Sequence, residues 1–215
     1  MPVDDTKRDQ LIHQLIEQID THPDQVGGYV DLITMLTSVG SLDQASELYL
    51  RAQERFNDAS LTYAGGLLDY AREQYQQGIT DLMPLLDDAD YRADAAYMLG
   101  LMYQKMSQPQ QALAFALIAS DADADAEDAA LLVANLLLTQ GYFEQVTERL
   151  EPLLKHDSAA VNFTYGLAMN AQEKDGRPYL EKAEQLDPET YAEQTAQLRD
   201  ISRFLNVRGR DDGNA

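Results

Sequence analysis

The chain contains no cysteine, which excludes disulfides, thiolate metal sites and cysteine nucleophiles. Histidine is nearly absent as well, limited to His13, His22 and His156. Basic residues are scarce, with 16 Lys plus Arg against 37 Asp plus Glu and a formal net charge of −21. Nucleic-acid binding needs a cationic stripe that displaces phosphate counterions, and an anionic bilayer surface attracts basic segments. Neither partner is expected here. Long apolar runs are also missing: the stretches 112–119 and 129–138 are too short and interrupted to span a bilayer. The start, Met1-Pro2-Val3-Asp4-Asp5, is acidic and lacks the apolar core of a signal peptide, so the expected location is cytoplasmic. The HExxH, P-loop and Gly-rich dinucleotide patterns are absent, leaving no reaction class to assemble. The expectation is a non-enzymatic protein without cofactor or metal.

What the chain does have is helical spacing. Hydrophobic residues make up 45% of the sequence, enough for a packed core. They recur at i, i+3, i+4 and i+7 with no sustained alternation. Turn signals such as His22-Pro23-Asp24, Gly40-Ser41, Ser107-Gln108-Pro109, Gln140-Gly141 and Asp175-Gly176 divide the chain at short intervals. Such punctuation predicts about twelve helices joined by short loops.

A pattern repeats within this helical text. Tyr29, Leu32, Leu36, Gly40, Ala45, Tyr49 and Ala52 define a first copy over 26–59. Tyr63, Leu67, Tyr70, Gly78, Leu82 and Leu85 follow in 60–92, after a turn expected to be one residue shorter. Leu99, Gly100, Tyr103, Ala112, Ala116 and Ala119 mark 93–126; Val133, Ala134, Leu137, Gly141, Phe143, Val146, Leu150 and Leu153 mark 127–160. Tyr165, Gly166, Leu180, Ala183 and Asp187-Pro188 mark 161–190, with a turn expected to be two residues short. This alternation of small and large residues resembles the tetratricopeptide repeat (TPR), a helix-turn-helix unit of about 34 residues. Small residues let the two helices A and B approach closely, and large ones fill the space beside them.

The resemblance implies an all-α fold, a right-handed α-α superhelical solenoid of about five TPR helix pairs over 26–190. A helical half repeat at 1–25 and a capping helix with a polar tail at 191–215 would shield its ends. Ser41-x-x-Gln44 and Ser107-x-x-Gln110 read as capping boxes at the starts of two B helices. Pro84 and Pro152 fall inside B helices, where each should remove a hydrogen bond and bend the helix.

The resemblance also implies a concave groove lined by fixed positions of the A helices. Those positions carry Val30, Thr34 and Thr37; then Leu61, Leu68 and Ala71; then Asp94, Tyr97, Leu101 and Gln104; then Asp128, Leu131, Asn135 and Leu138; then Phe163, Leu167 and Asn170. A contiguous apolar strip of this kind marks a binding surface. The candidate site residues are Tyr97, Leu101, Leu131, Asn135, Leu138, Phe163, Leu167 and Asn170, with the Asn side chains able to pair with a ligand backbone. The competing structural reading has the same residues buried by a tight superhelix or by the terminal helix. The carboxylate clamp of some TPR co-chaperones needs Lys, Asn and Arg in the groove. Val30, Thr34, Ala64, Leu68, Tyr97 and Leu101 occupy the candidate sites, none of them basic, so that activity is not expected.

The expected function is a scaffold or adaptor whose partner is an apolar or amphipathic protein or peptide segment. A basic flank on that segment would suit the acids of 86–128: Asp87, Asp88, Asp90, Asp94, Asp121, Asp123, Asp125, Glu127 and Asp128 stand there against Arg92 and Lys105 alone. A self-associating homodimer module or an escort chaperone is the alternative. Asp121-Ala-Asp123-Ala-Asp125 is not expected to bind calcium, since Ala126 and Leu132 stand where an EF-hand loop needs Gly and Glu. The sequon at Asn162 lies on a helix of a chain read as unsecreted and is discounted.

Overall fold

The computed structural model describes residues 5–123 and 125–198, and within them every regular element is a helix. α1 spans Asp5–Thr21. Five helix pairs follow: α2 Val26–Ser38 with α3 Leu42–Gln53, α4 Ala59–Ala71 with α5 Tyr75–Leu82, α6 Arg92–Lys105 with α7 Pro109–Ala122, α8 Glu127–Thr139 with α9 Phe143–Leu150, and α10 Ala159–Ala171 with α11 Arg177–Leu186. Residues 188–198 are also helical; the rest of the expected terminal helix and the polar tail lie outside the described residues. The chain divides into two compact units, 1–123 and 124–215.

Every pair is closed by one kind of turn. Gly40, Glu73, Ser107, Gly141 and Glu173 have φ between +57° and +82°. The N–H one residue later reaches back into the first helix: Ser41 to the Leu36 carbonyl, Gln74 to Asp69, Gln108 to Tyr103, Tyr142 to Leu137 and Lys174 to Met169, at 2.8–3.0 Å. This is the six-to-one bond of a Schellman motif, which satisfies carbonyls that a helix end leaves unpaired.

The motif displaces both expected capping boxes. Ser41 does occupy the N-cap of α3, but its side chain makes no capping bond. Its N–H is already bonded to Leu36, so the return bond a box needs from Gln44 has no donor. Ser107 is itself the left-handed residue, and α7 starts two residues later at Pro109, where the missing N–H costs nothing.

The shortened turns also lie elsewhere. The first four pairs share a three-residue connection and the fifth has a longer one, 172–176. The A helices of the second and fifth pairs instead begin early, at Ala59 and Ala159. Asp58 starts α4 by accepting the Ser60 N–H at 2.8 Å, and Ser158 starts α10 by accepting the Val161 N–H at 3.3 Å.

The two prolines interrupt the α-helical ladder as expected, but they lie just beyond the B helices and not inside them. α5 ends at Leu82 and α9 at Leu150, and each passes directly into a 3-10 turn, Met83–Asp87 and Glu151–His156. A proline with no N–H to give ends the α-helical ladder there. Leu85 and Leu153 then enter the core where the uninterrupted helices carry Ala52 and Ala119.

Each unit has its own core. Ile33, Leu61, Leu82, Leu99 and Met102 are fully buried in the first; Val133, Val146, Leu150, Leu153 and Val161 are in the second. Each such side chain contributes roughly 1.5–3 kcal/mol. Within each unit a polar clasp ties one pair to the next. Arg72 Nη1 donates to the Leu42 carbonyl at 3.1 Å and Ser46 Oγ at 2.7 Å. Gln172 Nε2 does the same with the Phe143 carbonyl at 2.9 Å and Thr147 Oγ1 at 3.3 Å. Both residues immediately precede a left-handed turn residue, and both reach the start of the previous B helix.

Two substitutions test these turns by urea unfolding. Glu73→Gly relieves a left-handed side chain at some cost in chain entropy and is expected to stabilise by about 0.5–1 kcal/mol. Gly176→Ala places a methyl on the Gly166 carbonyl oxygen, a backbone atom with no freedom to retreat, and is expected to destabilise by about 1–3 kcal/mol.

Candidate partner-binding face

The left-handed residues give the A helices a common origin. Counting back equally from each, Val30, Tyr63, Tyr97, Leu131 and Phe163 are equivalent. So are Thr34, Leu67, Leu101, Asn135 and Leu167, and likewise Thr37, Tyr70, Gln104, Leu138 and Asn170. Four pairs agree with the sequence register and the second is displaced by one residue. Leu61, Ala64 and Leu68 are core, 1–3% exposed. The half-buried Tyr63, Leu67 and Tyr70 take the face positions instead. The displacement follows from α4 starting at Ala59. Sequence reading missed it because it placed the missing residue of this pair in the turn between the helices instead of before α4.

Tyr97 and Leu101 belong to the first unit. They are half-buried on α6 against the cluster of Ile79, Leu82, Leu99 and Met102. The other six belong to the second. Leu131 and Leu138 are half-buried on α8 against Val146, Leu150 and Val161, and Asn135 is exposed. On α10, Leu167 is half-buried and Asn170 exposed. Phe163 is only 7% exposed. Its ring and that of Tyr191 in the terminal helix form a T-shaped pair, with centroids 5.6 Å apart and planes at 87°. Asn170 Oδ1 accepts the Gly176 N–H at 3.0 Å, so its carbonyl serves the turn of its own pair.

The acids of 86–128 have local structural work. Asp88 Oδ1 accepts the N–H groups of Asp90 and Tyr91 at 2.9 and 3.3 Å and shapes the entry to α6. Asp94 lies in the first turn of α6, and Glu127 and Asp128 in that of α8, where helix dipoles favour them. Asp125 accepts Lys155 Nζ at 2.9 Å and meets His156 Nε2 at 3.3 Å, bonds that hold its pKa below the usual carboxylate range. Among the described residues no cluster of three or more metal-ligating side chains occurs. Asn162 of the sequon is 1% exposed and donates to the Ser158 carbonyl at 2.8 Å.

Two tyrosines are strongly perturbed. Burial pushes Tyr63 up to about 12, helped by Asp94, Tyr97 and Tyr91; the rings of Tyr63 and Tyr91 lie 5.7 Å apart. Burial also pushes Tyr49 up to about 12, with Asp81 and Asp69 adding to it. Asp69 rises to about 6 through burial and the nearby Asp81, against the opposing charge of Arg72.

No protein-family profile and no curated protein matches the chain. Solved structures do. PilF of Pseudomonas aeruginosa matches with a TM-score of 0.73 at 18% identity, over 89% of this chain and 90% of that one. YrrB matches with a TM-score of 0.61 at 20% identity, over 85% and 97%. A tetratricopeptide repeat protein from Parabacteroides merdae matches at 0.59 and 16%, over 83% and 73%. The fold is of the TPR type. The Schellman turns and the small residues at the A–B contacts are how this sequence builds that TPR arrangement with no tryptophan.

Asp69 gives the TPR helices of the first unit a pH signature. The folded chain takes up this proton near pH 6, and the unfolded chain near the ordinary 3.8. Between those values the folded state binds more protons, so the Asp69 contribution falls as pH rises through the window. Asp69→Asn is expected to raise Tm at neutral pH and to flatten the dependence between about pH 4 and 6, read by thermal melts. Asp58, held low by Ser60, contributes in the opposite sense, and its share is lost on acidification through and below its ordinary value.

Proposed function

We propose that the chain is a non-enzymatic TPR scaffold that holds an apolar or amphipathic segment of another protein against the A-helix face of one of its units. One observation carries this reading. At the three equivalent positions every A helix presents at least one half-buried aliphatic or aromatic side chain, beside an exposed polar one on all but α4, with no lysine or arginine at any of them. Half-buried apolar groups held by a rigid core supply desolvation energy without an ordering penalty. The absence of base disfavours a ligand recognised through its terminal carboxylate. An amphipathic helix or an extended strand, anchored by apolar side chains, fits the face better. TPR-fold neighbours support a role in protein–protein interaction, and YrrB is described as a TPR protein with an unusual peptide-binding site.

Self-association is a second reading, favoured by a different surface. Leu11 and Ile16 of α1 and Leu50 of α3 are 41%, 43% and 62% exposed. A groove of about 230 Å³ among α1, α2 and α3 is lined by Ile12, Ile16, Leu32, Leu36 and Leu48, with Gln44, Glu47 and Arg51 beside them.

Peptide-display selection on the full chain, followed by titration, separates the two. Thr34 and Asn135 are exposed on the face, so Thr34→Arg and Asn135→Arg leave the core untouched. At least one of them is expected to weaken selected peptides by about tenfold with far-UV circular dichroism unchanged. Peptides that bind both variants like wild type place the site elsewhere. Mass that rises with concentration and returns to monomer in Leu50→Glu supports the second reading.

A further inference from the structure

We infer that the A-helix face of the first unit holds a subsite for a cationic side chain, formed by the rings of Tyr63, Tyr91 and Tyr97 with the carboxylate of Asp94. The inference rests on the partner-face reading and narrows it. The segment bound there carries Arg or Lys beside an aliphatic anchor.

Tyr63 and Tyr97 are equivalent residues of successive A helices, and Tyr91 lies in the connection between those pairs. The rings of Tyr63 and Tyr91 stand 5.7 Å apart, tilted by 41°. All three tyrosines are half-buried against the same core cluster around Leu82, Leu99 and Met102, so packing holds the rings while part of each reaches solvent. Rings immobilised in this way lose little entropy on meeting a ligand. Asp94 is exposed on α6 three residues before Tyr97, a spacing that sets the two side chains next to each other on one side of the helix, and its charge is also felt at the Tyr63 hydroxyl.

The charge balance in this part of the chain is one-sided. Asp87, Asp88 and Asp90 precede Tyr91 in the connection. Arg92, the base nearest in sequence, is turned to the Leu86 carbonyl at 2.8 Å. A cation over the face of a tyrosine is attracted by the ring quadrupole, and a carboxylate beside it adds a charge-assisted hydrogen bond. A guanidinium suits both at once, because it stacks flat and is more weakly hydrated than an ammonium. Leu67 and Leu101, equivalent on the same two helices, offer the adjoining apolar surface for an aliphatic neighbour of that cation. The competing account is that the rings only pack the core and Asp94 only serves the dipole of α6. That account predicts no response of binding to the charge at Asp94.

Peptides selected by display on the full-length chain decide between them, titrated against wild type, Thr34→Arg, Asn135→Arg, Asp94→Asn and Asp94→Lys. The expected peptides carry Arg or Lys next to Leu, Ile, Val or Phe. Their binding should weaken by about tenfold in Asp94→Asn, more in Asp94→Lys, and should fall when salt rises from about 50 to about 300 mM. Citrulline in place of Arg should cost a similar factor. Peptides that depend on Thr34 or Asn135 but carry no cation, or that bind Asp94→Asn like wild type, overturn the subsite and leave the face reading standing. Peptides indifferent to every variant, or a library that yields none, overturn both.

Discussion

A single backbone requirement organises this protein: the residue that closes each A helix is left-handed. Gly40, Glu73, Ser107, Gly141 and Glu173 supply it, and the amide that follows each one returns to a carbonyl of the helix just ended. The A and B helices of the first four pairs are thereby joined through three residues. Only Gly40 and Gly141 adopt the conformation without a Cβ. A side chain there carries strain of the order of 1–2 kcal/mol. Glu73, Ser107 and Glu173 carry it at exposed positions, held by the backbone bond that the following amide returns to the helix.

Once that turn is set, the contacts between pairs follow. Arg72 and Gln172 sit immediately before a left-handed residue, which aims each side chain at the first turn of the previous B helix. There they bond a backbone carbonyl and a hydroxyl, Leu42 with Ser46 and Phe143 with Thr147. An arginine and a glutamine thus perform one task in two places, because the task is to donate toward fixed oxygens. Pro84 and Pro152 add a second regularity. The B helix of the second and fourth pairs passes into a 3-10 turn, and a leucine occupies the core position that alanine holds in the first and third.

Most of the fold was legible in the sequence because the repeat writes the same packing requirement several times. Ala45, Ala52, Ala112 and Ala119 are small where helices approach, and all are 0–2% exposed. What could not be read depends on relations that one residue does not announce. The register of α4 hinges on Asp58 capping it early, and the left-handed Glu73 gives no compositional sign of its conformation. Ser41 looked like half of a capping box, yet the Schellman bond had already taken its N–H. The burial of Phe163 depends on Tyr191, a residue of another element whose docking no local pattern specifies.

The same distinction separates residues of one type on the proposed face. Asn135 and Asn170 both suggested amide pairing with a ligand backbone. Asn170 spends its carbonyl on the Gly176 amide, in the five-residue turn where Gly166 and Gly176 touch backbone to backbone. Within the second unit, α10 therefore contributes a committed amide and a ring already covered, and α8 contributes the exposed Asn135 between the half-buried Leu131 and Leu138. In the first unit no such commitment is seen at Leu67 and Leu101, which rest on the core and keep part of their surface in water. The face is uneven for a physical reason. Where an element of the chain itself needs the groups, they are spent on the fold, and the proposed face keeps apolar surface open only on the helices that the chain leaves uncovered.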